Sequence, residues 1–332
     1  MTKRIGIIGA GSWGTALAII AARAGHEVTL WSRDPQVVKT INDDRVNSRY
    51  LTSALVPHGV TATNEIQTAL HQASLVLLAA PSHAARALLT EMSPALEDSA
   101  IIVSVSKGIE IESGKRISEI VKEVVGGSHA FVCLSGPSFA KEVVENQPTA
   151  IVAASKDPVA ARTVQADLSF ENLRIYTNTD VVGTELGGSV KNVMAIAAGM
   201  TTGSGLGSNS VAALITRGLA EITRLARREG AQVETLMGLA GLGDLVLTCT
   251  GSLSRNRFVG EQLGKGIPLA EIEAGMNEVA EGIKTTLAVK QLADRAGLEL
   301  PITNEVKAVL YDGKSVADAV AELMSRPLRE EV

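Results

Sequence analysis

The sequence has few of the features that mark disulfide-linked or metal-binding proteins. Its 332 residues include only two cysteines, Cys133 and Cys249. Because these lie far apart in apolar surroundings, we expect two small buried side chains in a reducing compartment rather than a disulfide. No spacing of cysteine or histidine typical of a metal site is present. The sequence therefore predicts no metal cofactor.

Excess positive charge is also lacking. Lys and Arg number 31 against 36 Asp and Glu, which gives a formal net charge of −5. Nothing therefore attracts the whole chain to nucleic acid or to anionic membranes, and an anionic ligand would need local cations. No apolar run reaches the roughly 18 residues that a membrane-spanning helix needs, and the first residues lack the long apolar core of a secretory signal. We expect a cytoplasmic protein with no membrane insertion and no nucleic-acid partner.

Internal repeats and low-complexity tracts are absent, and the length fits about two domains. The first part contains short, nearly continuous apolar runs, which are typical of parallel strands covered on both faces. Helical patterns separate several of these runs, so we expect a doubly wound α/β sheet. The predicted strands are residues 5–8, 26–31, 74–80, 100–105, 129–134, 149–154 and 174–177, and the predicted helices include residues 83–92, 115–125 and 158–168.

The character of the sequence changes near residue 180. From residue 182 onward it shows long helical patterns and no further convincing strand. We therefore expect a dinucleotide-binding domain over residues 1–180 and an all-helical domain over residues 181–332. No Ser/Gly-rich linker separates them, so they should pack directly and enclose a cleft. The clearest helical patterns are residues 188–199, 210–229, 280–296 and 315–324.

A glycine turn follows the first predicted strand. Gly9, Gly11 and Gly14 stand at G-x-G-x-x-G spacing, and residues 15–22 continue with helical composition. In a dinucleotide-binding turn the first glycine permits the tight turn, the second lets the backbone approach a pyrophosphate, and the third allows close packing of helix on strand. The helix N-terminus then offers free N–H groups to the anion. Strand, turn and helix in this order favour dinucleotide binding over an ordinary βα turn.

The end of the second predicted strand bears on the choice of nicotinamide cofactor. An acidic residue there accepts a hydrogen bond from the ribose 2′-hydroxyl of NAD, whereas a basic one accommodates the 2′-phosphate of NADP. This chain offers Ser32 and Arg33 first, and Asp34 is followed by Pro35 and is expected to begin a turn. We therefore predict a preference for NADPH over NADH, the alternative being that Arg33 is a solvated loop charge.

Two segments following later strands carry polar groups that would face the cleft. Lys107 follows the strand at residues 100–105, where its ammonium could hold a carbonyl oxygen or a phosphate, although a solvated loop lysine fits as well. Gly136 and Ser138 flank a proline before a helical run. That sequence supplies a tight turn, a hydroxyl and free helix N-terminal N–H groups, or simply a helix cap. Residues 34–64, an excursion between the second and third predicted strands, are expected to form only a polar helix and a loop.

The second part opens with Lys191 and Asn192 inside an otherwise small and apolar helix. Because a buried lysine is costly unless paired or used, and because burial lowers its pKa, Lys191 is a candidate general acid or base. A lysine whose ammonium reaches solvent is the alternative. Asp244 lies in a glycine-rich apolar stretch, where it could tune a nearby lysine or cap a helix.

Ser254, Arg255 and Asn256 precede and open another helical run. A capping hydroxyl, the helix dipole and a guanidinium converge there, which is a good phosphate site. Farther on, Glu281 could present a carboxylate to a cofactor amide or ribose, or act only as an acid at a helix start.

Seven motifs together give the sequence a family resemblance over its whole length. It resembles the bacterial NAD(P)-dependent glycerol-3-phosphate dehydrogenases through GAGSWGTALA, SKGIE, GPSFAKEV, ELGGSVKNV, GLAGLGDLVLTCT, SRNR and VAEG, in that order. The resemblance implies an N-terminal Rossmann-type doubly wound sheet followed by an all-helical domain like the C-terminal domain of 6-phosphogluconate dehydrogenase. It also implies a homodimer. Ser32 departs from the family, in which a basic residue or histidine is frequent at this position.

The resemblance also implies roles for individual residues. Lys191 is similar to the family's proton-transfer lysine and also contacts substrate. The implied cofactor contacts are Gly9, Gly11, Ser12, Trp13, Gly14, Arg33, Lys107, Ala140, Arg255, Val279 and Glu281. The implied substrate contacts are Lys107, Gly136, Ser138, Lys191, Asp244, Ser254, Arg255 and Asn256.

The implied reaction is reversible reduction of dihydroxyacetone phosphate, a phosphorylated triose, to sn-glycerol 3-phosphate for phospholipid synthesis, with NADPH or NADH as cofactor. Two alternatives remain. One is a β-hydroxyacid dehydrogenase or ketopantoate reductase, whose carboxylate substrate would not need the cluster at residues 254–256. The other is a catalytically silent NADP-binding regulator, which Lys191 in its apolar helix argues against.

Overall fold

A computed structural model describes residues 2–276, 280–328 and 330. Most of its strands form one sheet, in the order β10-β9-β8-β7-β6-β1-β2-β5, while β3 and β4 form a separate hairpin. The strands are β1 (Arg4–Ile8), β2 (Glu27–Trp31), β3 (Val46–Asn47), β4 (Leu51–Leu55), β5 (Val60–Thr63), β6 (Leu75–Leu78), β7 (Ile101–Ser104), β8 (Phe131–Ser135), β9 (Thr149–Ala154) and β10 (Leu173–Asn178).

Helices cover both faces of the main sheet, as the prediction of a doubly wound fold requires. Alternate side chains of one strand enter different cores: Ile5 and Ile7 of β1 lie in one core, and Ile8 lies in the other. This alternation follows from the two-residue period of a strand. The helices around the sheet are α1 (Ser12–Arg23), α2 (Pro35–Asp43), α3 (Ile66–Leu70), α4 (Ala85–Met92), α5 (Ile117–Val124), α6 (Ala140–Val144) and α7 (Pro158–Leu168).

Past β10 the described chain is helical. Its core contains α8, which is buried along almost its whole length, as expected of a helix that is apolar on all sides. Among the described residues no helix is both long and apolar enough to cross a membrane. The helices are α8 (Val181–Gly203), α9 (Ser208–Arg228), α10 (Val233–Met237), α11 (Asp244–Thr250), α12 (Arg255–Gly264), α13 (Leu269–Ala274), α14 (Glu281–Arg295), α15 (Pro301–Tyr311) and α16 (Val316–Ser325).

Two sequence-based expectations about the sheet are corrected by the structure. The strands are not all parallel, because β8 pairs with β9 in antiparallel register. The excursion at residues 34–64 is also more than helix and loop: it contains α2, the β3–β4 hairpin and β5, which pairs with β2 at the edge of the sheet. The burial of Cys133 and Cys249 is confirmed, and both thiols are free.

Candidate active site

A cavity of about 860 Å³ lies between the carboxyl ends of the central strands and the helical part of the chain. Its walls come from the segments that follow β1, β2, β6, β7 and β8, and from α8, α11, α12 and the start of α14. Open α/β sheets bind ligands at this end of their strands. The cavity is the cleft that the sequence predicts.

The glycine turn forms one end of the cavity. Gly9 has φ +121°, a conformation that favours glycine, and a Cβ there would lie 2.6 Å from the carbonyl oxygen of Ala79. A Cβ on Gly14 would collide with the carbonyl oxygen of Gly9. A Cβ on Gly11 would meet no described atom within 4 Å and would project into open space. Packing therefore requires glycine at positions 9 and 14, whereas no packing contact requires it at position 11.

The start of α1 fits a pyrophosphate. Gly11 is its N-cap residue, and among the described residues no side chain caps it. The backbone N–H groups of the first turn and the positive end of the helix dipole suit an anion. Gly9, Gly11, Ser12 and Trp13 all line the cavity. The residues present thus fit the diphosphate of a dinucleotide.

The end of β2 places both Arg33 and Asp34 at the cavity, but the carboxylate of Asp34 is engaged in hydrogen bonds within the protein. Asp34 is the N-cap of α2, with Oδ1 accepting from the backbone N–H of Gln36 at 2.9 Å. Its Oδ2 accepts from Nη1 of Arg49 at 2.7 Å. The hydrogen bond to Gln36, with Arg49 adding to it, lowers the pKa of Asp34. Asp34 thus begins helix α2, where the sequence predicted a turn.

Lys191 is buried in the middle of α8, only 5% exposed. Its Nζ donates to Oδ1 of Asp244 at 2.5 Å and to Oγ1 of Thr248 at 2.7 Å. Burial lowers the pKa of Lys191 from 10.5 to about 8, against the opposing effect of the Asp244 carboxylate. Because Lys191 also lines the cavity, it is a buried acid that a ligand can reach.

Asp244 joins Lys191 to a second lysine. It begins α11 and is 1% exposed, and its Oδ2 accepts from Nζ of Lys107 at 2.6 Å. Burial acts to raise the pKa of Asp244, but the two neighbouring ammonium groups outweigh it and hold that pKa below its ordinary value. One carboxylate between two lysines leaves a net positive charge at the cavity.

Lys107 lies in the loop after β7. Its Nζ also donates to the carbonyl oxygen of Gly136 at 3.2 Å. Three residues later, Glu110 accepts two hydrogen bonds from Arg86, each at 2.8 Å. This bidentate pair ties the loop to α4 and thereby fixes the position of Lys107.

The predicted phosphate cluster opens α12. Ser254 caps the helix, its Oγ accepting from the backbone N–H of Arg257. Asn256 is buried and joins three helices, because its Nδ2 donates to Oδ1 of Asn192 at 3.0 Å and its Oδ1 accepts from the N–H of Gly282 at 2.9 Å. Arg255 lines the cavity beside them.

Glu281 also lines the cavity, at the start of α14. Its Oε1 accepts from the backbone N–H of Ser82 at 3.2 Å, which links the helical part to the segment after β6. Burial raises the pKa of Glu281.

Some residues predicted for the site do not line the cavity. Gly14 packs beneath the glycine turn. The carbonyl oxygen of Gly136 accepts hydrogen bonds from Lys107 and Ser138, so Gly136 acts on the cavity through them. Ala140 begins α6 and packs against the sheet core. Val279 lies outside the described residues.

Thr248 and Arg49 are among the cavity residues that the sequence did not predict. Thr248 accepts from Lys191 and lies four residues after Asp244, so helical periodicity puts the two on one face of α11. Arg49 reaches the cavity from the excursion, and nothing in its local sequence indicates this because the hairpin that carries it was not predicted.

Comparison with known proteins matches one family along most of the chain. The family described as NAD-dependent glycerol-3-phosphate dehydrogenase matches with its N-terminal part at residues 4–161 and its C-terminal part at residues 180–321. A protein of Koribacter versatilis named glycerol-3-phosphate dehydrogenase [NAD(P)+] is 54% identical over 334 residues, covering 99% of each chain.

Solved structures agree with the sequence comparison. A crystal structure of glycerol-3-phosphate dehydrogenase from Coxiella burnetii superposes with a TM-score of 0.95 at 40% identity, covering 98% of this chain and 99% of that one. A ketopantoate reductase from Ralstonia eutropha, at 17% identity and a TM-score of 0.63 over 96% and 99% of the two chains, shares the fold alone. The chain belongs to the NAD-dependent glycerol-3-phosphate dehydrogenase family.

Proposed function

We propose that this protein is an NAD(P)-dependent sn-glycerol-3-phosphate dehydrogenase, which reversibly reduces dihydroxyacetone phosphate to sn-glycerol 3-phosphate. The observation that carries the proposal is the buried Lys191–Asp244–Lys107 cluster in a cavity that continues to the glycine turn. A proton donor and an anion-binding helix N-terminus then face one space, as carbonyl reduction by a dinucleotide requires.

The cofactor supplies a hydride to the carbonyl carbon from its reduced nicotinamide. Gly11, Ser12 and Trp13 would hold its diphosphate, and Arg33 lies where the adenosine ribose is expected. Glu281 and Lys107 also line the cavity. Of the remaining family positions, Ala140 and Gly14 support the site from outside the cavity, and Val279 stays a prediction.

Lys191 is the proposed general acid. An ammonium has three N–H donors, of which Asp244 and Thr248 take two, so the third can serve the substrate oxygen. With its pKa lowered to about 8, Lys191 is protonated at neutral pH and yet gives up a proton more readily than an ordinary lysine. In the reverse direction the neutral amine takes the hydroxyl proton of glycerol 3-phosphate.

Lys107 and Asp244 support this proton transfer electrostatically. Negative charge develops on the substrate oxygen during reduction, and the net positive charge of the cluster stabilises it. Asp244 fixes both ammonium groups, so little reorganisation is needed when the charge appears. Ser138 completes the wall beside Lys107, and the carbonyl oxygen of Gly136 accepts a hydrogen bond from each of them.

The substrate phosphate is assigned to the start of α12. Arg255 supplies a cation, and the helix N-terminus adds N–H groups and its dipole beside Ser254 and Asn256. Binding at the phosphate, remote from the reacting carbon, aligns that carbon with Lys191.

The test is absorbance at 340 nm with dihydroxyacetone phosphate, run in parallel with NADPH and NADH. Oxidation of the cofactor that is absent with unphosphorylated dihydroxyacetone is the expected result. Cofactor binding without oxidation would overturn the proposal and direct attention to hydroxyacid substrates and then to a regulatory role.

The proposal extends to the setting of the enzyme. We expect two domains, residues 1–180 and 181–332, assembled as a homodimer in the cytoplasm and supplying glycerol 3-phosphate to phospholipid synthesis. Light scattering on the purified protein tests the assembly, and a mass equal to one chain would contradict it.

A further inference from the structure

The β3–β4 hairpin is fastened to the glycine turn. Asn47 donates from Nδ2 to the carbonyl oxygen of Ala10 at 2.9 Å and to Oγ1 of Thr15 at 2.8 Å. Ser12 donates from Oγ to the carbonyl oxygen of Tyr50 at 2.7 Å. Arg49 lies between these two anchored residues, so its backbone has a fixed position relative to the turn.

The guanidinium of Arg49 is consequently held at the end of β2. It donates to Oδ2 of Asp34 at 2.7 Å, and it lies 5.2 Å from the ring centroid of Tyr50, which orients it further. Arg49 lines the cavity together with Ser32 and Arg33. Two guanidinium groups and a hydroxyl therefore share the edge of the cavity that follows β2.

Asp34 is badly placed to recognise a ribose hydroxyl. Its Oδ1 is used by the N-cap of α2 and its Oδ2 by Arg49. The hydroxyl of Ser32 accepts from the backbone N–H of Asp34 at 3.2 Å, which leaves its own proton free to donate outward. Arg33, Arg49 and the carboxylate of Asp34 together carry one net positive charge. This charge attracts a phosphate dianion and does not favour a neutral hydroxyl.

We propose that Arg49 is the second cation, beside Arg33, of a site for the 2′-phosphate of the adenosine ribose, and that Arg49 sets a preference for NADPH over NADH. This inference rests on the proposed use of NAD(P) and adds a residue that the sequence reasoning did not include. Arg49 acts in two ways: it binds the phosphate directly, and it neutralises Asp34, whose charge would otherwise repel a phosphate.

The test is calorimetric binding of adenosine 2′,5′-bisphosphate and of ADP, which needs neither substrate nor turnover and so can fail independently of the proposed reaction. Arg49→Ala should weaken binding of the bisphosphate by about 10- to 100-fold, the range of a lost charged hydrogen bond, while ADP binding stays within about twofold. Lys39→Ala removes the same charge from the exposed Lys39–Asp43 pair on α2 and should change neither.

Steady-state kinetics of the whole enzyme provide a second test of the role of Arg49. In Arg49→Ala the KM for NADPH should rise by a similar factor, and the KM for NADH should stay constant or fall because Asp34 is released. Equal weakening of both nucleotides, or no change in either, would overturn the proposal. So would a tenfold loss of NADH binding in Asp34→Asn, which keeps a capping oxygen, because Asp34 would then be a ribose ligand.

Discussion

The ammonium of Lys191 and the carboxylate of Asp244 lie 2.5 Å apart inside the protein, and neither residue is more than 5% exposed. An isolated charge at either position would be costly, so each is maintained by the other and by Lys107. The cluster is thus both a structural unit and the proposed chemical centre, and substitutions can separate the two roles.

Replacing Lys191 by Ala should remove proton transfer while leaving the fold intact, because Asp244 keeps its ion pair with Lys107. We expect kcat for reduction of dihydroxyacetone phosphate to fall by about 100- to 10,000-fold, the usual contribution of a general acid. NADPH binding, followed by its fluorescence, should be unchanged. Wild-type turnover in this variant would remove Lys191 from the mechanism.

Replacing Asp244 by Asn should act mainly on stability, because it leaves two ammonium groups without a counterion. The free energy of unfolding should fall by about 3 to 5 kcal/mol, the cost of breaking a buried pair, as measured by urea denaturation. The matched change Asp43→Asn breaks only the exposed pair with Lys39 and should not alter the midpoint measurably. Equal midpoints for the two variants would show that the buried cluster carries no such penalty.

The pH dependence of activity should follow Lys191, whose pKa lies at about 8 in the free protein. Reduction needs the ammonium, so kcat/KM for dihydroxyacetone phosphate should fall as pH rises above about 8. Oxidation of glycerol 3-phosphate needs the neutral amine, so its kcat/KM should rise with pH up to about 8. Opposite slopes in the two directions, measured over pH 6.5 to 10, are the signature. Slopes of the same sign would assign the titration to another group.

Arg255 should act chiefly on the substrate phosphate. In Arg255→Ala the KM for dihydroxyacetone phosphate should rise by about tenfold or more, since a charged hydrogen bond is lost. The residual rate with unphosphorylated dihydroxyacetone at high concentration should not change. Arg257, two residues after Arg255 in the first turn of the same helix, is paired with Glu261 and does not line the cavity. Arg257→Ala is therefore the control, and an equal rise in KM there would refute the phosphate assignment.

The sequence predicts those helices and strands whose structure is determined by their own residues. β9 and α7 occur at the predicted residues, because a continuous apolar run and an Asp-Pro helix start are strong local signals. The hairpin was missed since β4 is mostly exposed and lacks apolar alternation. The antiparallel pairing of β8 with β9 was missed as well, because the apolar run of a buried strand does not indicate the direction in which that strand pairs.

The length of α8 also exceeded its prediction, which began at residue 188. Glycine has a low helix propensity, yet the N-terminal glycines of α8 permit close contact with other elements. A Cβ on Gly187 would lie 2.5 Å from the carbonyl oxygen of Ala240. Tertiary packing thus overrides local propensity here. In the site, the motifs identify Lys191, Lys107 and Asp244, but their mutual pairing depends on contacts 53 and 137 residues apart.

Gly11 and Gly14, which flank Ser12 and Trp13, can be substituted to test whether cofactor binding or packing requires glycine at each position. Gly11 has φ −70°, and a Cβ there would meet no described atom within 4 Å, so Gly11→Ala should leave the melting temperature unchanged or slightly higher. If a pyrophosphate approaches the backbone at this point, the same methyl group should weaken NADPH and NADH binding alike, by about tenfold or more.

Gly14→Ala should behave in the opposite way. Its Cβ would collide with the carbonyl oxygen of Gly9, so the helix must move away from the strand and the melting temperature should drop by several degrees. Differential scanning fluorimetry without cofactor, followed by a titration with each nucleotide, separates the two effects. If Gly11→Ala bound both nucleotides as tightly as the wild type, the diphosphate could not lie against the start of α1, and the cofactor would have to enter the cavity by another route.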